Sequence, residues 1–393
     1  MASFQKNNEF DICVIGAGPA GSVAAALLAK NGFKVLLLEK EEFPREKVCG
    51  DCITPPGVSN LLEKNLLNSD KNIFYRLTGV TILTSRTPPN RTSFSFNGKY
   101  PDYALIAPRK TLDSLLVKKA VEAGVFFLPR TEATGVEIKD AVFVITATQN
   151  NKQVIFKSSC LIIATGNYLP FLQKTLKLSV NDYRACGVAI RAYFRLQDSA
   201  GNYMIIIADS DLWPAMGWIF PMKDNMVNAG IGFYLDEKYL VKGTLSQIFK
   251  HFIENSPLAS PVLKRAEMIT QPKSKKILMG GLKKYPAKSG VLLCGEAAGL
   301  VNPFTGEGIG PAIKSGILAA QTIKSSFSSG IKDPEVISNI YYRKLEEEFE
   351  NYMKRALFMK RLATSKFVTH NVLRVLNLSP SLSQLNIRYW VKG

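Results

Sequence analysis

Two kinds of residue cluster in this chain could do chemistry: glycines spaced to admit a phosphate, and cysteines set in a polar loop. Gly16, Gly18 and Gly21 stand in G-x-G-x-x-G spacing. The first glycine permits a tight turn, the second lets backbone approach a pyrophosphate, and the third lets a helix pack closely on a strand. A helix starting there offers unpaired N–H groups and the positive end of its dipole to an anion. Glu39 follows Gly21 by 18 residues, where a carboxylate can accept hydrogen bonds from an adenosine ribose. An acid at that place favours a free ribose hydroxyl, hence FAD or NAD over NADP.

Of the six cysteines, Cys13, Cys160 and Cys294 sit in apolar runs, where a buried and inert thiol is expected. Cys49 and Cys52 lie instead in a loop rich in proline, glycine and charge. A thiol there can be exposed, and Lys47 or a helix end would lower its pKa from about 8.5. A C-x-x-C zinc half-site needs two more ligands, and only His251 and His370 are on offer. A redox-active dithiol would sit at a similar distance after the glycines, but the enzymes that carry one have a second G-x-G-x-x-G in mid-chain, and this sequence has none. A structural thiol is the third reading.

A lone glycine motif is weak evidence, so the elements around it decide its meaning. An apolar run at 12–15 predicts a buried parallel strand, 24–28 a small-residue helix and 34–38 a second strand ending at Glu39. Pro56-Gly57 opens a helix to about Leu67, and alternation over 78–106 with Pro88-Pro89-Asn90 predicts strands and a long turn. Pro108-Arg109 starts a helix to Ala123, with Leu112, Leu115, Leu116 and Val121 on its apolar side. Short strands near 125–128, 132–138, 142–147 and 154–157 form a meander that ends in a buried strand and turn, 161–166. From about 185 the pattern changes to strands at 187–196, 203–208, 216–221 and 226–233, a second and antiparallel sheet. The chain then returns to the first unit: a buried strand at 290–294, the turn Gly295-Glu296-Ala297-Ala298-Gly299, a glycine-rich turn at 305–310 and a helix from Ile309 to about Phe327. Residues 334–378 read as mostly helical.

The expected fold class is therefore α/β: a Rossmann-like nucleotide-binding domain over 1–75, 103–182 and 275–330, an inserted β-rich domain over 76–102 and 183–274, and a C-terminal helical region over 331–393. No apolar run of about 18 residues exists to span a bilayer, and the first residues lack the apolar core of a secretory signal, so the expected location is cytoplasmic. The net charge of +18 predicts attraction to anionic surfaces. Nucleic acid is the least expected of these, since no recognised binding motif and no cluster of basic residues interleaved with aromatics is present. Residues 351–378 carry no acid, but Lys354, Arg355, Lys360, Arg361, Lys366 and Arg374 are spread among apolar residues. Such helices can lie on an anionic membrane face or pack as a solvated surface on the nucleotide domain.

A nucleotide-binding unit at the start and a second strand–Gly–acid–Gly–helix unit near residue 295, separated by a β-rich insertion, resembles the FAD-binding fold of the p-hydroxybenzoate hydroxylase superfamily. Within it, Lys47-Val48-Cys49-Gly50-Asp51 resembles the K-x-C-G-D signature of the geranylgeranyl reductase family, and Trp218-Ile219-Phe220-Pro221 its W-x-F-P motif. The resemblance covers nearly the whole chain. It implies FAD, held by Gly16, Gly18, Pro19, Ala20, Gly21, Glu39, Lys40, Lys47, Arg109 and Ala164-Thr165-Gly166. The later motif, Gly295-Glu296, would touch the ribityl chain, with Pro303, Gly306, Gly308 and Ile309 along the flavin ring. Glu296 stands where the family usually has Asp, one methylene shorter. No metal is implied.

The resemblance adds a fourth reading of Cys49, a thiol beside the flavin that helps protonate or position an alkene, with Gly50 and Asp51 completing the site. Trp218 and Phe220 alternate on a strand and share a face, so they would wall an apolar tunnel or pack as core. The expected activity is reduction of isoprenoid double bonds, with electrons from NAD(P)H or a ferredoxin-like donor. The expected partners are a prenyl or lipid substrate, an anionic membrane face and an acidic donor or carrier protein. The alternatives are a monooxygenase or halogenase of the same fold, and a prenyl-binding escort protein without chemistry.

Overall fold

The computed structural model describes residues 8–68, 73–85, 87–209, 211–235 and 243–363. Its first sheet has seven strands, ordered Phe126–Leu128, Val35–Leu38, Glu9–Ile15, Lys152–Ile163, Val142–Gln149, Thr131–Lys139, with Val291–Leu293 also paired to Lys152–Ile163. Glu9–Ile15 is parallel to both neighbours, Ile15 lying level with Leu38 and Ile163. The last four residues of this strand and all of Val35–Leu38 are buried, which is why both read as unbroken apolar runs.

Helix Pro19–Lys30 covers one face of the sheet and takes its start from the glycine turn, with proline at its first position. Ala24, Ala25 and Ala26 are fully buried in it because two other helices, Arg109–Glu122 and Ile309–Ser328, press close. The approach to the second is backbone-tight: a Cβ on Gly316 would lie 2.4 Å from the Ala20 carbonyl oxygen. The long helix Pro334–Ala363 then caps strand Val291–Leu293. Tyr342 Oη donates to the Val291 carbonyl at 2.9 Å and Tyr341 Oη to that of Leu293 at 2.7 Å, so the backbone of this edge strand finds partners.

A second sheet of eight strands runs Glu267–Met268, Tyr183–Arg195, Met226–Tyr234, Met216–Pro221, Tyr203–Ala208, Gly79–Thr84, Asn90–Ser93, with Lys273–Leu282 also beside Tyr183–Arg195. It is antiparallel except for one pair, Tyr203–Ala208 against Gly79–Thr84. A small sheet, Cys52–Ile53, Ala104–Ile106 and Tyr75–Leu77, joins the cysteine loop to the rest.

Four local expectations are corrected. Phe126–Leu128 is no part of a meander; it pairs in parallel with Val35–Leu38, helix Arg109–Glu122 being its crossover. The strands expected near 154–157 and 161–166 are one, Lys152–Ile163, which runs through Ser158 because that hydroxyl is satisfied by the Cys160 carbonyl. Helix Pro55–Glu63 stops short of Leu67, and Val121 is about half exposed rather than part of the buried stripe. The basic stretch 351–378 is described only to Ala363, where it is helical; Lys366 and Arg374 lie outside the described residues.

Candidate active site

The glycine turn is built as a cradle. Gly16 has φ +101°, and a Cβ there would meet the Ala164 carbonyl oxygen at 2.5 Å; one on Gly21 would meet the Gly16 oxygen at 1.9 Å. Both positions therefore exclude a side chain. Gly18 precedes the helix with no side-chain cap and no acid in the first turn, so the N–H groups there remain available to an anion. Two guanidinium groups, of Arg45 and Arg109, stand 3.8 Å from where its Cβ would be.

Those cations are held in a buried lattice. Glu39 is 6% exposed; its Oε2 accepts the Ala17 N–H at 3.0 Å and faces Arg45 Nη2 at 3.3 Å. Arg45 Nη1 reaches Asp113 at 3.0 Å, and Asp113 grips Arg109 through two hydrogen bonds of 2.8 and 2.7 Å. Glu39 thus closes the turn, and its Oε1, which accepts the Glu41 N–H at 3.1 Å, keeps a lone pair for a ribose. Arg45 and Asp113 were not evident in the sequence, although Asp113 lies four residues after Arg109, one helical turn along.

The later motif meets the earlier one across the chain. Gly295 has φ +62° and donates its N–H to Ser315 Oγ at 2.9 Å. Glu296 Oε2 receives Lys47 Nζ at 3.0 Å, and a Cβ on Gly166 would lie 3.2 Å from that Nζ and 3.3 Å from that oxygen. Three segments more than a hundred residues apart thus share one contact. The longer Glu296 side chain is what spans to Lys47.

A cavity of about 350 Å³ joins this cradle to the second sheet. On the cradle side it is lined by Gly18, Pro19, Ala20, Lys47, Arg109, Ala164, Gly166, Gly295 and Glu296, and then by Pro303, Gly306, Gly308 and Ile309. On the sheet side the walls are mostly apolar, among them Val80, Phe94, Met204, Ile206, Trp218 and Phe220. Pro221 is buried at the end of its strand and is not on this wall. Lys40 is not on it either; its Nζ stands 4.2 Å from the Tyr168 ring centroid, over the ring. Thr165 Oγ1, next to Gly166, is buried without a hydrogen-bond partner.

The cysteine loop lies where the two halves meet. A Cβ on Gly50 would come within 3.0 Å of the Phe220 ring and 3.7 Å of Trp218 Nε1, so the K-x-C-G-D and W-x-F-P segments are packed on one another. Asn228 fastens them: it accepts from Trp218 Nε1 at 3.0 Å and donates to the Cys49 carbonyl at 2.8 Å and to Asp51 at 2.9 Å. Cys49 lines the cavity and its Sγ accepts the Asp51 N–H at 3.3 Å. Burial first, and then the Asp51 charge, push its thiol above the ordinary range, with Arg109 and Lys47 acting in the opposite sense. The sequence-based expectation of a lowered pKa is thus corrected: Lys47 is engaged by Glu296, and desolvation prevails. Cys52 is raised further by burial, which disfavours the thiolate a redox dithiol needs.

Asp51 is fully buried with φ 64°, a left-handed conformation that Asp tolerates better than most residues. Burial pushes its carboxyl up to about 6, although bonds from Tyr193 and Asn228 to Oδ2 favour the ionised form. Its Oδ1 has no partner, and leaving such a group unmade costs about 1–3 kcal/mol. The cavity wall carries four more charged groups that the sequence does not single out: Arg191, Lys275, Lys276 and Glu307. Burial raises Glu307 to about 7, even as Thr54 and Tyr352 donate to it. Lys275 is lowered to about 8, by burial and then by Lys47.

A glycine turn that excludes side chains, a bare helix start flanked by two guanidinium groups, and an acid at the end of the second strand fit the ADP half of FAD; the Gly295-Glu296 turn and the glycines beyond it fit the flavin half. The comparisons support FAD binding. A family described as pyridine nucleotide-disulphide oxidoreductase matches residues 10–189. A menaquinone reductase of Mycobacterium tuberculosis is 30% identical over 331 residues, 80% of this chain and 76% of that protein. A digeranylgeranylglycerophospholipid reductase of Thermoplasma acidophilum is 29% identical over 364 residues, 87% of this chain and 84% of its own. The solved structure of a geranylgeranyl bacteriochlorophyll reductase-like protein from the same organism superposes with TM-score 0.78 at 26% identity, covering 91% of this chain and 88% of the other. A flavin-dependent halogenase superposes with TM-score 0.73 at 24% identity, covering 88% of this chain and 63% of its own, a likeness of fold.

The protein is an FAD-dependent oxidoreductase. More narrowly, it belongs to the geranylgeranyl reductase family.

Proposed function

We propose that this enzyme reduces carbon–carbon double bonds of an isoprenoid chain. The observation that carries the reading is the packing of the Cys49-Gly50-Asp51 loop on Trp218 and Phe220, at the point where the FAD cradle opens into an apolar cavity. FAD, when bound and reduced, supplies the hydride; the protein has to supply a proton, a place for the alkene and exclusion of water. An isolated alkene is a poor hydride acceptor, so protonation has to accompany transfer. In this reading Cys49 gives the proton. Its raised pKa keeps the proton on Sγ at neutral pH, and the Arg109 and Lys47 charges favour the thiolate once the proton has left. Trp218 and Phe220, with ring centroids 6.2 Å apart, would hold the chain beside it.

Electrons would come from NAD(P)H docking transiently or from a ferredoxin-like donor. The +18 charge favours an acidic donor protein, and with the exposed Lys354, Arg355 and Arg361 near the end of helix Pro334–Ala363, Lys360 being buried over the Tyr234 ring, it favours contact with an anionic membrane face from the cytoplasmic side. Among the described residues no helix is long and apolar enough to cross a membrane. A second reading, an oxygen-using halogenase, is supported by Lys275, a lysine of lowered pKa on the wall between cradle and sheet.

The test is anaerobic. The bound flavin is reduced with dithionite, a geranylgeranyl lipid is added, and the oxidised-flavin absorbance is followed with mass spectrometry of the lipid. Reoxidation with two hydrogens gained per turnover supports the reductase. A flavin that stays reduced until oxygen and halide are admitted, with halogenated product, replaces it by the second reading.

A further inference from the structure

Arg191 is among the largest fully buried side chains of the protein, at 1% exposure. It sits on the inner strand Tyr183–Arg195 of the second sheet and lines the cavity. Its guanidinium is poorly satisfied. Nη2 makes one long bond of 3.4 Å to the Lys47 carbonyl, the carbon centre stacks 4.2 Å from the Tyr193 ring centroid, and Nε and Nη1 have no partner. Asp51 lines the same cavity, and its Oδ1 is equally unpartnered, its other oxygen being occupied by Tyr193 and Asn228. Buried polar atoms left without a partner are rare unless something else completes them.

The two orphaned groups are opposites: guanidinium only donates, and a carboxylate only accepts. A carbonyl would satisfy the first and not the second, and an anion would meet Asp51 with like charge. A hydroxyl does both at once. We propose that Arg191 and Asp51 form a polar subsite in the wall of the apolar cavity that takes a hydroxyl group of the substrate. The preferred substrate is then an isoprenoid alcohol or quinol type of amphiphile rather than a hydrocarbon. This deepens the reductase reading and rests on it for the identity of the chain, though the subsite can be read by binding alone.

The test measures binding to the oxidised FAD-loaded enzyme, by the perturbation of flavin absorbance or by equilibrium dialysis in detergent micelles. The probes are geranylgeraniol and the hydrocarbon of the same chain that lacks the hydroxyl. The expected result is about 10- to 100-fold tighter binding of the alcohol. In Arg191→Met that preference should vanish while the hydrocarbon binds as before, and Arg191→Lys should restore part of it. Equal binding of the two probes to the unaltered enzyme overturns the subsite without any variant having to fold, and so does binding of neither. Equal weakening of both probes in Arg191→Met, with a shifted flavin spectrum, would make Arg191 a support of the cofactor and overturn it too. An alcohol that binds preferentially yet is never reduced would sink the reductase reading and leave the subsite standing.

Discussion

At the scale of single residues, the site pairs a thiol that keeps its proton with a carboxyl that titrates near neutrality. Replacing Cys49 by Ala should lower the rate of anaerobic flavin reoxidation by roughly 10²-fold or more if Sγ gives the proton, with FAD content unchanged; Cys49→Ser should recover part of it. A rate within twofold of the parent would remove the thiol from the chemistry. Glu307 makes a second prediction. Burial holds its folded pKa at about 7 against an ordinary 4.5, so between those values the folded state keeps a proton that the unfolded state has lost. Its contribution is present in full below about 4.5 and is lost as pH rises through 7, by up to ~3 kcal/mol. Urea unfolding at a series of pH values should show Glu307→Gln losing less stability over that window than the parent; parallel curves would refute the assignment. Cys49 and Asp51 stand out in the sequence through the motif they share, but their protonation does not, and neither do Arg191 and Glu307. Arg191, Asp51 and Glu307 acquire their character from burial among elements far apart in the chain, and local spacing does not encode that.

Elements were more legible, for a physical reason. The glycine turn, the strands beside it and the helix after it are local, so their periodicity and breakers lie within about thirty residues. Non-local pairings were not. Phe126–Leu128 resembles any short strand, and only its crossover helix places it beside Val35–Leu38. Ser158 and Ser159 look like a break, and the strand continues because a neighbouring carbonyl accepts the buried hydroxyl of Ser158. The close crossing of helices Pro19–Lys30 and Ile309–Ser328 gives the prediction at this scale. Gly316→Ala places a methyl 2.4 Å from the Ala20 oxygen, and the helices must part. The expected loss is about 1–3 kcal/mol, read as a lower urea midpoint at constant m-value. Because Ala20 also lines the cavity, FAD should be held less tightly; unchanged midpoint and flavin content would show that the crossing has slack.

For the whole molecule the strong positive charge should govern encounters. Sedimentation with vesicles containing about a third anionic lipid should be high at low salt and fall steeply towards 0.5 M, where the Debye length shrinks to about 4 Å. Binding that ignores both salt and anionic lipid would assign the charge another role, and a salt-sensitive rate of flavin reduction by an acidic ferredoxin but not by NADPH would identify it.

Strand Val291–Leu293 reaches its place beside Lys152–Ile163, itself beside Glu9–Ile15, only after the entire second sheet has been made. On a ribosome adding ~5–20 residues per second, roughly 15–60 s separate the first strand from this last strand of its sheet. Through that interval the nascent nucleotide turn lacks Glu296 and the helix behind it, so the chain emerges unable to grip its cofactor firmly. Flavin loading is therefore expected late in synthesis, once Gly295-Glu296 and helix Ile309–Ser328 have joined the turn that was made first.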